Sequence, residues 1–267
     1  MYRRRSLLFR VVDRQTDIPN PDNGAYESGF CRSSSTMPQD THEAEKESII
    51  RHVSNPGGNW GKSPFLSTSA SFLWCMWEAG RRAAQCGRKA DEIHILVLDA
   101  SPLEREGSLR WLNNVDAPYR QWFLGTQFYT WIDNSKEVLV KYAIPSYSIL
   151  GRVNYVDIQR NSPSFFPVHL KFEDWRTSTP RKKKTKLVYG SFSAREGDVM
   201  LRFKANSYAA NFATLIDFVN ALTGAGTSMP RDVALAIASN LALCCSGGVV
   251  GTQPDRVLRE NVADHAW

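Results

Sequence analysis

Phe65-Leu66-Ser67-Thr68-Ser69 sets two large apolar residues before three small hydroxyl ones, then runs directly into Ala70-Ser71-Phe72-Leu73-Trp74-Cys75-Met76-Trp77. The first five residues read as a short strand, whose period of two places Phe65, Ser67 and Ser69 on one face. The segment from Ala70 to Cys86 reads as a helix. Phe72, Cys75, Met76, Ala79 and Ala83 recur at helical spacing, and Leu73, Trp74 and Trp77 widen the apolar stripe. Ser69 or Ser71 suits the helix N-cap. A hydroxyl-rich strand feeding a buried helix decides the class: this is an α+β chain with the triplet Ser67-Thr68-Ser69 at the junction.

Outward from that junction, Leu7–Asp13 reads as a strand, with Leu8, Arg10 and Val12 on one face and Leu7, Phe9 and Val11 on the other. Ile93–Leu98 is almost continuously apolar and fits a central strand. Glu137–Ile144 is a β-branched strand closed by Pro145, and Ser148–Val156 reads as one more. Glu43–Val53 reads as a polar helix ended by Asn55-Pro56-Gly57-Gly58. Beyond Pro163 the character changes. A solvated Arg181-Lys182-Lys183-Lys184 run precedes two predicted helices, Asn206–Leu222 and Pro230–Cys245. Residues 1–160 therefore read as one domain and residues 161–267 as a mainly helical extension whose role the sequence does not indicate.

The 267 residues are 42 % hydrophobic and carry 33 Lys and Arg against 27 Asp and Glu, a net charge of +6. A core can form, and the mild basic excess suits an anionic ligand as well as plain solubility. No stretch has the unbroken apolar length of a membrane span, and Arg10 interrupts the short N-terminal apolar run where a secretory signal would need continuity. A soluble chain is expected, cytoplasmic or nuclear, with no membrane partner; a toxin-like module cut from a longer precursor is the other option. The five cysteines and five histidines show neither a disulfide framework nor metal-ligand spacing, so no metal is expected.

Three short elements carry chemistry. Arg10 is a guanidinium inside an apolar strand, costly unless an anion or a carboxylate meets its fork. Ser67-Thr68-Ser69 closes a strand with hydroxyls. Glu137 opens the apolar Val138-Leu139-Val140 strand. Their order, with Arg10-Val11-Val12-Asp13, then Gly29-Phe30, His52-Val53, the triplet and Glu137-Val138-Leu139, resembles the mono-ADP-ribosyltransferase family. Within it the pattern is similar to the branch marked by an Arg, a Ser-Thr-Ser triplet and a late Glu. That branch includes pierisin-like, DNA-modifying and toxin-like members, and related fungal domains also look similar. The likeness covers about residues 6–155.

The resemblance implies two small, roughly perpendicular β-sheets forming a cleft for NAD. NAD would be a substrate, cleaved between ribose and nicotinamide through an oxocarbenium-like transition state. Glu137 would stabilise the charge developing on the ribose, and Ser67 would orient it. Arg10 would clamp the NAD phosphates, with Thr68 and Ser69 supporting the cleft wall. Phe65 or Phe72 would line the nicotinamide slot. The segment Gln127–Trp131 would be a loop facing the acceptor, with Trp131 able to stack on a base. The pattern departs at Ser135, where many members carry Glu or Gln. Serine is a poor base, which favours water, or an acceptor held differently, over arginine. The acceptor is left as protein, nucleic acid or water. Two rival readings stay open: a catalytically degenerate module binding NAD or a partner, and a nucleic-acid-binding protein using the basic segments.

Overall fold

The computed structural model describes residues 6–15, 17–32, 41–54, 63–112, 118–163, 208–224 and 229–246, together with Phe166, Phe192, Val199, Met200 and Phe203. The basic run Arg181-Lys182-Lys183-Lys184 lies outside the described residues. In chain order the strands are β1 (Leu7–Asp13), β2 (Tyr26–Glu27), β3 (Phe65–Ser69), β4 (Ile93–Asp99), β5 (Leu109–Trp111), β6 (Glu137–Lys141), β7 (Ala143–Ile144) and β8 (Ile149–Asn154). The helices are α1 (Gly29–Arg32), α2 (His42–Ser54), α3 (Phe72–Gln85), α4 (Ala100–Arg105), α5 (Pro118–Gln121), α6 (Gln127–Ser135), α7 (Tyr155–Asn161), α8 (Tyr208–Gly224) and α9 (Arg231–Ser246). The chain is thus a mixed α+β structure.

Six strands form one antiparallel sheet in the order β5-β6-β3-β1-β4-β8, and β2 pairs with β7 as a separate two-stranded ribbon. The central strands β1 and β4 are almost wholly buried, which is why both read as near-continuous apolar runs. The strand read as Glu137–Ile144 is divided. Tyr142 takes φ 69°, a left-handed turn that releases Ala143 and Ile144 from the large sheet so that they pair with β2.

Helix α3 starts where its N-cap Ser71 accepts the N–H of Trp74 at 3.1 Å. It packs against β1 and β4 with Phe72, Leu73, Met76 and Trp77 buried. Phe72 meets Phe9 edge to face at 5.1 Å, and each such side chain contributes about 1.5–3 kcal/mol of burial. Helices α8 and α9 close the same core: Phe212, Phe218, Ile237 and Leu241 belong to one cluster with Leu8, Phe9 and Leu96. A second cluster (Ile49, Val53, Phe65, Phe123, Ile132 and Leu139) fixes α2, α5 and α6 against β3 and β6. Among the described residues no helix is long and apolar enough to cross a membrane.

Candidate active site

The site begins with a break in the sheet. Strands β1 and β4 keep seven registered pairs, from Leu7 with Asp99 to Asp13 with Ile93. Strands β1 and β3 are in register only at Phe9 and Ser69. Beyond that pair they part, and a cavity of about 620 Å³ opens, walled by Phe9, Arg10 and Val11 on one side and by Phe65 through Ser69 on the other. Its volume falls within the ordinary range for small-molecule sites. Arg10, the whole Ser67-Thr68-Ser69 triplet and Glu137 line this one cavity, with His52 and Trp131 beside them.

Arg10 explains its apolar strand by what it meets. Its Nη1 donates to the carbonyl of Ser67 at 2.6 Å, an acceptor that the parting of β1 from β3 leaves outside the ladder. Its Nη2 pairs with Asp17 at 2.5 Å, and both side chains are more than nine-tenths buried. Asp17 is shared with Arg82 of α3 at 3.3 Å, and Arg82 also reaches Asp13 at 3.0 Å. The Arg10 Nε is buried and has no hydrogen-bond partner among the described residues.

Glu137 is placed by both of its neighbours in the chain. Helix α6 ends at Ser135, and Lys136 at φ 47° turns the backbone left-handed, so strand β6 starts at once. Across the ladder Glu137 faces Ser69. The Ser69 hydroxyl donates to the Ser135 carbonyl at 2.5 Å and accepts the N–H of Ser71 at 2.9 Å. Thr68 ties the same strands by donating to the carbonyl of Val138 at 2.6 Å. Glu137 is buried, with 6 % of the residue exposed. Burial pushes its carboxyl up to about 7, against hydrogen bonds from Ser67, Ser135 and Trp131 and the charge of Arg10.

A hydrogen-bonded chain extends from this acid to α2. His52 Nδ1 lies 2.6 Å from Ser63 Oγ, and its Nε2 lies 2.9 Å from Ser67 Oγ. Ser63 Oγ accepts the N–H of Phe65 at 3.2 Å, and with Ser67 committed as donor to Glu137 the neutral ring carries its proton on Nε2 and presents Nδ1 as acceptor of the Ser63 proton. His52 then donates from Nε2 to Ser67, and Ser67 donates to the Glu137 carboxylate. This direction satisfies every donor when the acid is ionised. Burial, and secondarily the charge of Arg10, holds the His52 imidazole down at about 4, so it is neutral at pH 7.

Two positions differ from the sequence expectation. Gln127–Trp131 is not a loop but the first turns of α6. Trp131 is half-buried, meets Trp74 in a T-shaped contact at 5.9 Å and hydrogen-bonds Glu137. Ser135 is turned inward toward Glu137. It is fully buried, with Oγ 3.0 Å from Glu137 Oε2 and 2.8 Å from the Trp131 carbonyl. Phe65 lines the cavity, whereas Phe72 lies in the core against Phe9. Sequence reasoning missed His52 as a partner of Ser67, since a single histidine on a polar helix carries no signal of what its ring meets. Cys75 also lines the cavity, but burial pushes its thiol far up, so it stays protonated. Among the described residues no group of His, Cys, Asp and Glu is arranged to hold a metal ion.

The fold and site now frame what the chain is similar to. It belongs to the family described as Domain of unknown function (DUF7587), whose profile matches residues 3–158. That span covers the strand with Arg10, the triplet and Glu137, and it ends within α7. No curated protein and no solved structure matches the chain.

Proposed function

We propose that this chain is an NAD-consuming enzyme with an ADP-ribosyltransferase-like fold, acting as a mono-ADP-ribosyltransferase or an NAD glycohydrolase. The observation that carries the reading is convergence: Arg10, the triplet and Glu137, distant in sequence, line a single cavity at the break between β1 and β3. In the reaction, the bond from the ribose anomeric carbon to the nicotinamide nitrogen breaks. Its electron pair goes to nicotinamide, which leaves neutral, and the positive charge is left on the ribose. Glu137 as a carboxylate stabilises that charge, in the manner of glycosidase carboxylates. A nucleophile then adds to the anomeric carbon and loses a proton. A carboxyl near 7 suits a base that takes it at neutral pH.

Arg10 is the anion partner in this reading. A pyrophosphate oxygen gripped by Nη2 takes the place of Asp17, and the buried Nε supplies a further donor. Water as the acceptor is favoured over an arginine side chain. Position 135 offers a buried hydroxyl turned toward Glu137 where a second carboxylate would be needed.

Mass spectrometry of the purified chain incubated with NAD in a cell extract tests the proposal. Nicotinamide with free ADP-ribose, or nicotinamide with an acceptor heavier by one ADP-ribose, supports it. NAD recovered intact leaves the chain as a binding module.

A further inference from the structure

Helix α9 is an apolar helix with one polar side chain turned into the protein. Ile237 and Leu241 are fully buried in the core, and Asn240 between them reaches the corner that joins β3 to α3. Its Oδ1 accepts the N–H of Phe72 at 3.0 Å, and its Nδ2 donates to the carbonyl of Ala70 at 2.8 Å. One partner is a donor and the other an acceptor, so only one orientation of the amide serves both. Cys244, one turn on, places its Sγ 3.5 Å from the hydroxyl of Ser71. The C-terminal helix thus touches Ala70, Ser71 and Phe72 in succession.

The same corner is bonded on its other side to the chain that carries the acid. The N–H of Ala70 donates to the carbonyl of Lys136 at 3.0 Å, and the N–H of Ser71 donates to Ser69 Oγ at 2.9 Å. Ser69 in turn holds the carbonyl of Ser135. One peptide corner therefore has Asn240 on one side and both residues that precede Glu137 on the other. Even a half-buried amide is costly in an apolar helix unless its hydrogen bonds are made, and both polar ends of Asn240 are spent on the corner.

We propose that Asn240 is a positioning residue. Its amide fixes the corner between β3 and α3, which sets Glu137 in the cavity and makes the C-terminal helix a working part of the site. This rests on the reading of Glu137 as the acting carboxylate. The site is therefore completed from outside residues 3–158, the span that defines the family.

The test compares the full chain with Asn240→Leu, Asn240→Asp and Ile237→Ala, the last as a core substitution in the same helix that leaves the corner bonds in place. Nicotinamide release from NAD and amide hydrogen exchange are measured on each. Asn240→Leu is expected to lower kcat about tenfold with KM for NAD within about twofold, because a small misplacement of a catalytic group is costly. Exchange at Ala70 and Phe72 should quicken. Asn240→Asp keeps the acceptor for Phe72 and loses the donor for Ala70, so its kcat should fall between those of the parent and Asn240→Leu; if Asn240→Leu does not fold, Asn240→Asp carries the kcat readout and the exchange readout at Ala70. Ile237→Ala should lose thermal stability while keeping kcat and the exchange of those two amides. In an active parent, an unchanged kcat in the Asn240 variants overturns the proposal. A parent that releases no nicotinamide removes the enzymatic reading instead. Exchange at Ala70 and Phe72 then decides the clamp, standing if quickened and overturned if not.

Discussion

Asp17 sits 2.5 Å from the guanidinium of Arg10, both side chains buried, so the anion proposed for Arg10 has to compete with it. A buried pair of this kind contributes little net stability while intact, but breaking one side leaves an uncompensated charge. Asp17→Asn should therefore cost about 3–5 kcal/mol, since both Arg10 and Arg82 lose a partner. It should also make the folded chain depend more on added anion. The thermal midpoint with saturating ADP-ribose is expected to rise further for Asp17→Asn than for the parent. Equal increments in the two proteins would mean that ligand and Asp17 do not compete for Arg10.

Glu137 makes the protein less stable as its carboxyl ionises. Its carboxyl titrates at about 7 when folded, above the ordinary 4.5, so between those values the folded chain holds a proton that the unfolded chain has released. Stability falls as pH rises through that window, and the loss is complete above it at about 3 kcal/mol. Glu137→Gln removes the effect. Denaturant titrations should show the variant and parent nearly equal at pH 4.5 and the variant more stable by about 3 kcal/mol at pH 8. A constant difference across that range would show that the acid is not held near 7.

His52 acts in the opposite direction. Its imidazole is held down at about 4 from an ordinary 6.5, so on acidification the unfolded chain takes up a proton that the folded chain refuses. The neutral form's stability is present above 6.5 and lost as pH falls toward 4. Between 4.5 and 6.5 the His52 and Glu137 slopes oppose each other, and the parent should be nearly flat there. His52→Gln, neutral at every pH, should gain about 2–3 kcal/mol on the parent in going from pH 8 to pH 4.5, read from the same denaturant titrations. No gain would place the proton elsewhere.

Much of this arrangement was legible from local pattern. The bounds of β1 and β3 match the sequence reading, because a short apolar run with a single guanidinium marks the first and the Phe-Leu pair with its hydroxyl triplet marks the second. The apolar stripe of α3 likewise announces its buried face. The turn at Tyr142 was not legible: a bulky residue at positive φ leaves no signal in a β-branched run, and the surrounding structure imposes it. Nor was α6. Its Gln-Phe-Tyr-Thr-Trp start is mixed in propensity, and the helix stands because Ile132 is buried in the cluster with Phe65 and Leu139. Arg10, the triplet and Glu137 could be singled out by residue type, but the partners that tune the acid could not. His52, Ser135 and Trp131 stand out only through the resemblance, and nothing in their residue type shows that they meet the acid; the Asn240 contact with Ala70 spans 170 residues.

Ser67 joins His52 to Glu137, and removing its hydroxyl should be read in the rate. Ser67→Ala takes away a donor to the carboxylate, which raises the acid further. The rising limb of kcat against pH should move to higher pH, and kcat at neutral pH should drop about 10–100-fold with little change in KM. A limb that stays in place while kcat falls would assign Ser67 to substrate contact rather than to Glu137.

The central claim is that Glu137 supplies the charge that breaks the ribose–nicotinamide bond in the cavity between β1 and β3. Nicotinamide release from NAD by the parent and by Glu137→Gln, with NAD binding measured on both by calorimetry, tests it most directly. The account predicts turnover in the parent, loss of at least about 100-fold in kcat in the variant, and NAD affinity within a few-fold of the parent. Equal release by the two proteins, at equal affinity, would contradict it.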